Sequence, residues 1–124
     1  MSLFDWYIPE PGLKCHKCGK ILAGWQGYDG PCALFVWAQY KASPVDQRVD
    51  EETRCSAKVR ASKRLPDDFL IHTYCCSAKF SFAAVCETES GIWKTTRHLG
   101  ANDVDRYFKE KKKEERKAYK AWLA

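Results

Sequence analysis

The sequence predicts an α+β fold: a small antiparallel sheet of about five strands, a cysteine knuckle at one end, and a C-terminal helix. Three observations carry this expectation. The run Leu13-Lys14-Cys15-His16-Lys17-Cys18-Gly19-Lys20 places two cysteines two residues apart, just before a glycine. Residues 33–40 form an apolar run of strand length, 69–75 and 80–88 read as further strands, and 92–98 follows a plausible hairpin turn. From residue 102 onward the chain turns to charged residues with a sparse apolar stripe, the pattern of a largely solvated helix. At 124 residues one domain is expected, with residues 1–101 as a knuckle-containing β-rich body and 102–124 as its C-terminal helix.

Residues 1–12 hold two prolines and no periodicity, and read as an extended arm packed through Phe4, Trp6, Tyr7 and Ile8. In the knuckle, one tight turn aims two thiolates at one metal ion, and Gly19 supplies the positive φ that the turn requires. Ile21 and Leu22 are expected to lead into a strand. Residues 24–31, GWQGYDGP, carry three glycines, an Asp-Gly pair and a proline, and read as a turn closing a hairpin. Its Trp25 and Tyr28 are candidates for a recognition surface. In ALFVWAQY both alternating faces are apolar, so residues 33–40 read as a central strand with Val36 and Trp37 buried.

Residues 41–68 are polar, broken by Pro44 and Pro66, with a short helix expected inside 51–64. The carboxylates Asp46, Asp50, Glu51 and Glu52 surround Arg48 there, and read as a solvated loop. Residues 69–75 and 80–88 follow as strands, and Glu89-Ser90-Gly91 reads as a hairpin turn into 92–98. Asn102 is a good N-cap, with Asp103 and Asp105 at the positive end of the helix dipole. The helix is expected to run to about Trp122, anchored by Val104, Tyr107 and Phe108. Its middle, residues 109–117, is solvated, and Tyr119 and Trp122 form either a second anchor or a partner-facing patch.

A structural zinc site needs four ligands and the knuckle supplies two. The stretch Tyr74-Cys75-Cys76-Ser77-Ala78-Lys79-Phe80 has the outline of a second knuckle between two strands. Cys75 and Cys76 therefore complete the predicted set with Cys15 and Cys18, and His72 and Cys86 rank behind them. In an extended strand His72 and Cys75 point to opposite faces, about 10 Å apart along the chain. Cys86 and Cys32 otherwise read as buried structural thiols.

Residues 13–21, and more faintly 74–80, resemble the zinc-ribbon group, whose members join two CxxC-type knuckles across a small antiparallel sheet. That resemblance implies a structural zinc but no single activity, since such ribbons serve in transcription, translation and many protein contacts. The chain shows no H-x-E with P-C-x-x-C and no H-E-x-x-H, the spacings of zinc hydrolytic chemistry.

Net charge is +5, and the last 23 residues carry eight cations and five acids. This is a mild footprint for nucleic acid and more often marks a solvated helix face. The N-terminal stretch lacks the basic and apolar regions of a secretion signal, and no apolar run reaches membrane-spanning length. A cytoplasmic protein with reduced thiols is expected. The leading expectation for function is a non-enzymatic, zinc-stabilised module that recognises a protein partner. A nucleic-acid-binding protein using the basic helix comes second, and a small metalloenzyme third.

Overall fold

The computed structural model describes residues 3–15, 18–75, 80–99 and 101–123, with the backbone alone at 80–81, 101–105 and 108. In chain order it places β1 (Asp5–Ile8), β2 (Trp25–Gly27), β3 (Phe35–Ala38), β4 (Asp46–Gln47), α1 (Ala57–Ala61), β5 (Asp68–Cys75), β6 (Phe80–Glu89), β7 (Ile92–Leu99) and α2 (Ala101–Leu123). The class is α+β as predicted, but the sheet has seven strands in the order β4-β3-β1-β2-β5-β6-β7. It is also mixed: β1 runs parallel to β3 and antiparallel to β2.

Two expectations about the N-terminal part are corrected by this topology. The arm is an interior strand, because Asp5 and Tyr7 point inward while Trp6 pairs with Gln26 on one side and Val36 on the other. The glycine-rich segment contains β2, whose Trp25 is 1% exposed. Gly27 is required there by a close approach: a Cβ would lie 2.8 Å from the Leu70 carbonyl and 2.9 Å from the Tyr7 ring. Ile21 makes a bridge to Lys14, and residues 22–24 belong to no strand before β2 begins at Trp25.

The other elements lie close to where the periodicity puts them. Val36 and Trp37 are buried. Ser90 and Gly91 both take positive φ, the left-handed pair of a two-residue hairpin turn. The short helix α1 is capped by the Ser56 hydroxyl, which accepts from the Val59 N–H.

The sheet curls until its two ends meet. The Tyr40 N–H donates to the Trp93 carbonyl at 2.8 Å, and the Gln39 side chain spans to β7 through Lys94 O and Thr96 Oγ1. Inside lie Tyr7, Trp25, Phe35, Trp37, Phe69, Ile71, Cys86 and Trp93. Tyr7, Phe69 and Trp93 meet at centroid distances between 5.2 and 5.9 Å, within the range of favourable ring pairs.

One buried carboxylate organises this core. Asp5 Oδ1 accepts from the N–H groups of Ala33 and Phe35, and Oδ2 accepts from Cys32 N–H and Trp37 Nε1–H, all at 2.9–3.1 Å. Cys32 and Leu34 take positive φ, so the chain between β2 and β3 folds round the carboxylate. Gly30 permits this, since a Cβ there would sit 2.8 Å from Asp5 Oδ2.

Candidate metal centre and the exposed helix

The knuckle is a small hairpin closed by its own backbone. Leu22 N–H donates to Leu13 O, Cys15 N–H to Lys20 O, and Gly19 N–H returns to Cys15 O, with Gly19 at φ +74°. Thr73 Oγ1 donates to Ala23 O at 2.6 Å, fastening the chain after the knuckle to β5. At the end of β5, two residues beyond Thr73, stands Cys75. The result is a cluster of three thiols, Cys15, Cys18 and Cys75, whose sulfurs all lie within 4.8 Å of one another. The Cys18 and Cys75 sulfurs are 3.5 Å apart. Four thiolates round a zinc at about 2.3 Å would place sulfurs roughly 3.8 Å apart, so the cluster has the dimensions of a thiolate metal site. These residues lie close enough to hold a metal ion.

Cys15 is buried, Cys75 half-buried and Cys18 exposed, so one edge of the cluster faces solvent. Cys76, the fourth predicted ligand, lies outside the described residues. Neither lower-ranked candidate joins the cluster. His72 stacks on Tyr28 at 5.6 Å, on the other face of β5, and its burial lowers its pKa. Cys86 is fully buried in the core, where burial pushes its thiol up to about 12, against a weaker lowering by a hydrogen bond with Thr96. Cys32 is only half-buried, against the expectation of a buried thiol. Burial, then Asp5 and Asp29, raise its pKa, and its Sγ donates to Tyr28 O, so it is poorly disposed to act as a nucleophile.

The position of the cluster gives it mechanical meaning. The sheet divides into β4-β3-β1-β2 and β5-β6-β7, and these halves share one register pair, Gln26 with His72. Cys15 and Cys18 precede β2, and Cys75 ends β5. The thiols therefore span the least-paired seam of the sheet. Other groups cross the same seam: Leu70 N–H donates to Asp29 Oδ2, and the Lys111 ammonium of α2 lies 3.6 Å from the same oxygen. Burial works against the charge of Lys111, yet Asp29 and Tyr107 hold its pKa above the ordinary range.

Helix α2 is fastened near its start and bare beyond. Tyr107 OH donates to Asp68 Oδ2 at 3.1 Å, and Lys111 reaches Tyr107 and Asp29. The expected anchors Val104 and Phe108 lie outside the described side chains. Residues 112–123 are all exposed. At the tip Tyr119 and Trp122 stack on each other at 6.3 Å with 61% and 79% of their surfaces open, and Leu123 is similarly exposed. Lys112, Glu115, Arg116 and Lys120 share a shallow concavity with Tyr119.

Of the four predicted recognition residues, Tyr28, Tyr119 and Trp122 are therefore exposed, whereas Trp25 is a core residue and presents no surface. Its neighbouring glycines, Gly24 and Gly27, imitate a turn in the sequence. The carboxylates at 46–52 are exposed, with Asp46 in a surface pair with Arg54. Asp5 is not among the sequence candidates; the signal that points to it is an acid alternating with the inward-facing residue of an aromatic run.

No described helix is long and apolar enough to cross a membrane. Comparison with protein-family models, curated proteins and solved structures gave no match, so no family is shown for this chain.

Proposed function

We propose that this protein is a non-catalytic binding module, braced by a zinc ion on Cys15, Cys18 and Cys75, that engages a protein partner through the distal part of α2. The observation that carries the reading is the stacked Tyr119–Trp122 pair, left open at the end of a helix whose residues 112–118 are all exposed. Tyrosine and tryptophan dominate the energetic centres of protein interfaces. Spaced at i and i+3 with Leu123 beside them, they form the anchor set by which a helix enters an apolar groove. The polar middle of the helix supports this, because it spaces the anchors away from the body without demanding burial.

The bracing role of the metal is supported by the chemistry of the cluster. It offers soft thiolate donors, which suit zinc, and among the described residues no carboxylate or imidazole joins them to act as a base. Purified reduced protein is expected to carry one zinc per chain. A chelator and Cys15→Ser should each lower the melting temperature, since metal binding at such sites is coupled to folding. Metal-free reduced protein whose melting is indifferent to zinc and chelator would overturn the metal part.

The second reading, nucleic acid, is favoured by Lys112, Arg116 and Lys120 lying on the face of Tyr119. The two separate cleanly. A protein partner retained by the full chain should be lost by Trp122→Ala and bind with weak salt dependence. Affinity for a polynucleotide that falls steeply with salt, and disappears with the same variant, would establish the second reading instead.

A further inference from the structure

We infer that the thiol cluster is also an oxidation site, at which a peroxide joins Cys18 to Cys75, and that when zinc occupies the cluster this reaction expels it. The inference rests, for its metal half only, on the zinc reading above.

Three features single out this pair. Its sulfurs are 3.5 Å apart, close enough for a disulfide to form with small side-chain rotations. Cys18 is exposed and Cys75 half-buried, so an oxidant reaches Cys18 from solvent while its resolving partner already stands beside it. Cys15, the third thiol, is 1% exposed and shielded from the oxidant. The sulfur atoms therefore have unequal roles: one meets the oxidant, one resolves it, and one is spared. Two cysteines outside the cluster are placed differently. Cys86 is sealed in the core, and Cys32 gives its thiol hydrogen to Tyr28 O.

The chemistry balances with hydrogen peroxide as the two-electron oxidant. The Cys18 sulfur attacks one peroxide oxygen, the O–O bond breaks, and the departing hydroxide takes a proton to leave as water. The resulting sulfenic acid is attacked by the Cys75 sulfur. The S–O bond breaks, the S–S bond forms, and the second oxygen leaves as water with the proton of the Cys75 thiol. Two thiols are oxidised and one peroxide is reduced to two waters. A metal bound to the three thiolates loses two of its donors at once and keeps only Cys15.

The product is as informative as the reaction. Cys18 and Cys75 are 57 residues apart and lie on opposite sides of the β2–β5 seam. A disulfide between them closes the same long loop that the metal closes. The cross-link thus replaces the brace that it removes, and the sheet stays folded while the metal is released. The cluster would then report oxidant without unfolding the protein.

The test uses the full reduced chain, as purified and after zinc loading, treated with one equivalent of hydrogen peroxide. Disulfides are mapped by non-reducing digestion and fragmentation, alongside Cys76→Ser to separate the neighbouring thiol. Released zinc is followed with a chromogenic chelator. The expected result is a Cys18–Cys75 link in both the wild-type and Cys76→Ser chains, one zinc released per link, an unchanged far-ultraviolet spectrum, and reversal by a dithiol. If the chain takes up no zinc but forms the link, the oxidation site stands and the metal reading falls. If it binds zinc but peroxide leaves all thiols open to alkylation, or links other cysteines, the oxidation proposal is overturned and the metal reading survives.

Discussion

Replacing Asp5 with Asn tests whether the buried carboxylate holds the N-terminal half of the sheet together. Each carboxylate oxygen accepts two N–H bonds: Ala33 and Phe35 on Oδ1, Cys32 and Trp37 Nε1 on Oδ2. An amide matches the shape but keeps one oxygen. Whichever way it is turned, its NH2 faces two N–H donors that then have no acceptor. Two buried donors left unsatisfied cost about 1–3 kcal/mol each, and a buried amide is easier to desolvate than a buried carboxylate. The expected loss is therefore about 2–4 kcal/mol, a large part of the roughly 5–15 kcal/mol that holds a typical domain folded.

With a urea slope of about 2 kcal/mol per M, the unfolding midpoint should fall by about 1–2 M. Hydrogen exchange adds a local readout: the amides of Cys32, Ala33 and Phe35 should lose protection before those of β5 and β6. A midpoint within about 0.3 M of the parent on such a slope would refute the argument. So would a destabilised variant in which those three amides keep their protection.

Trp37→Ala should cost about 3–5 kcal/mol by urea unfolding, because a fully buried indole leaves a cavity; combined with Asp5→Asn its cost should be less than additive, since Trp37 Nε1 is one of the four donors that Asp5 satisfies and its removal leaves the amide fewer to orphan. Cys86 is raised in the folded state from 9.0 to about 12, so its neutral thiol contributes stability that is fully present below about pH 9 and is lost as pH rises toward 12. Stability measured between pH 9 and 10 should therefore fall with pH, and Cys86→Ala should flatten that slope; an unchanged slope would count against burial of the thiol. A chain ending after Lys113 should still fold, with a loss of no more than a few kcal/mol, because residues 114–123 are exposed, yet it should lose its partner; unfolding on truncation would show that Trp122 and Leu123 belong to the core. On chelation, amides of residues 24–28 and 70–74 should lose protection ahead of the β6–β7 hairpin, and uniform loss across the sheet would show that the cluster does not act at the seam.

How legible each part was in the sequence follows from the physical origin of each signal. Strands β5, β6 and β7 and helix α2 are long, local and periodic, and the hairpin between β6 and β7 carries its own turn chemistry in Ser90 and Gly91. Strands β1, β2 and β4 are two to four residues long. Their pairing is decided by partners distant in the chain, and no window of sequence contains that information. Trp25 shows the difficulty: its glycine neighbours predict a turn, while Gly27 is there to let Leu70 and Tyr7 approach. The parallel pairing of β1 with β3 was hidden for the same reason, since it depends on the Asp5 hydrogen bonds that bring residues 32–37 to the arm. The knuckle was legible because Cys-x-x-Cys-Gly is a local device. Its convergence with Cys75 depended on where β5 ends relative to the hairpin, which the half-repeat at 74–80 only outlined.

The placement of the thiols answers a weakness that this topology creates. A sheet whose central junction rests on one paired register has little backbone bonding to resist shear there. The structure compensates with side chains from every available direction: Thr73 to Ala23 from the knuckle side, Asp29 to Leu70 from the loop side, Lys111 to Asp29 from the helix above, and the three sulfurs at the end of β5. Three of these are hydrogen bonds or an ion pair, each worth a modest net amount. A bound metal would be of a different order, because its binding free energy adds directly to folding. The seam is also where α2 attaches, through Asp29 and Asp68, so the base of the exposed helix and the thiol cluster bear on the same junction. Asp68 opens β5 and Cys75 closes it, so the helix base and the thiol cluster stand at opposite ends of that junction.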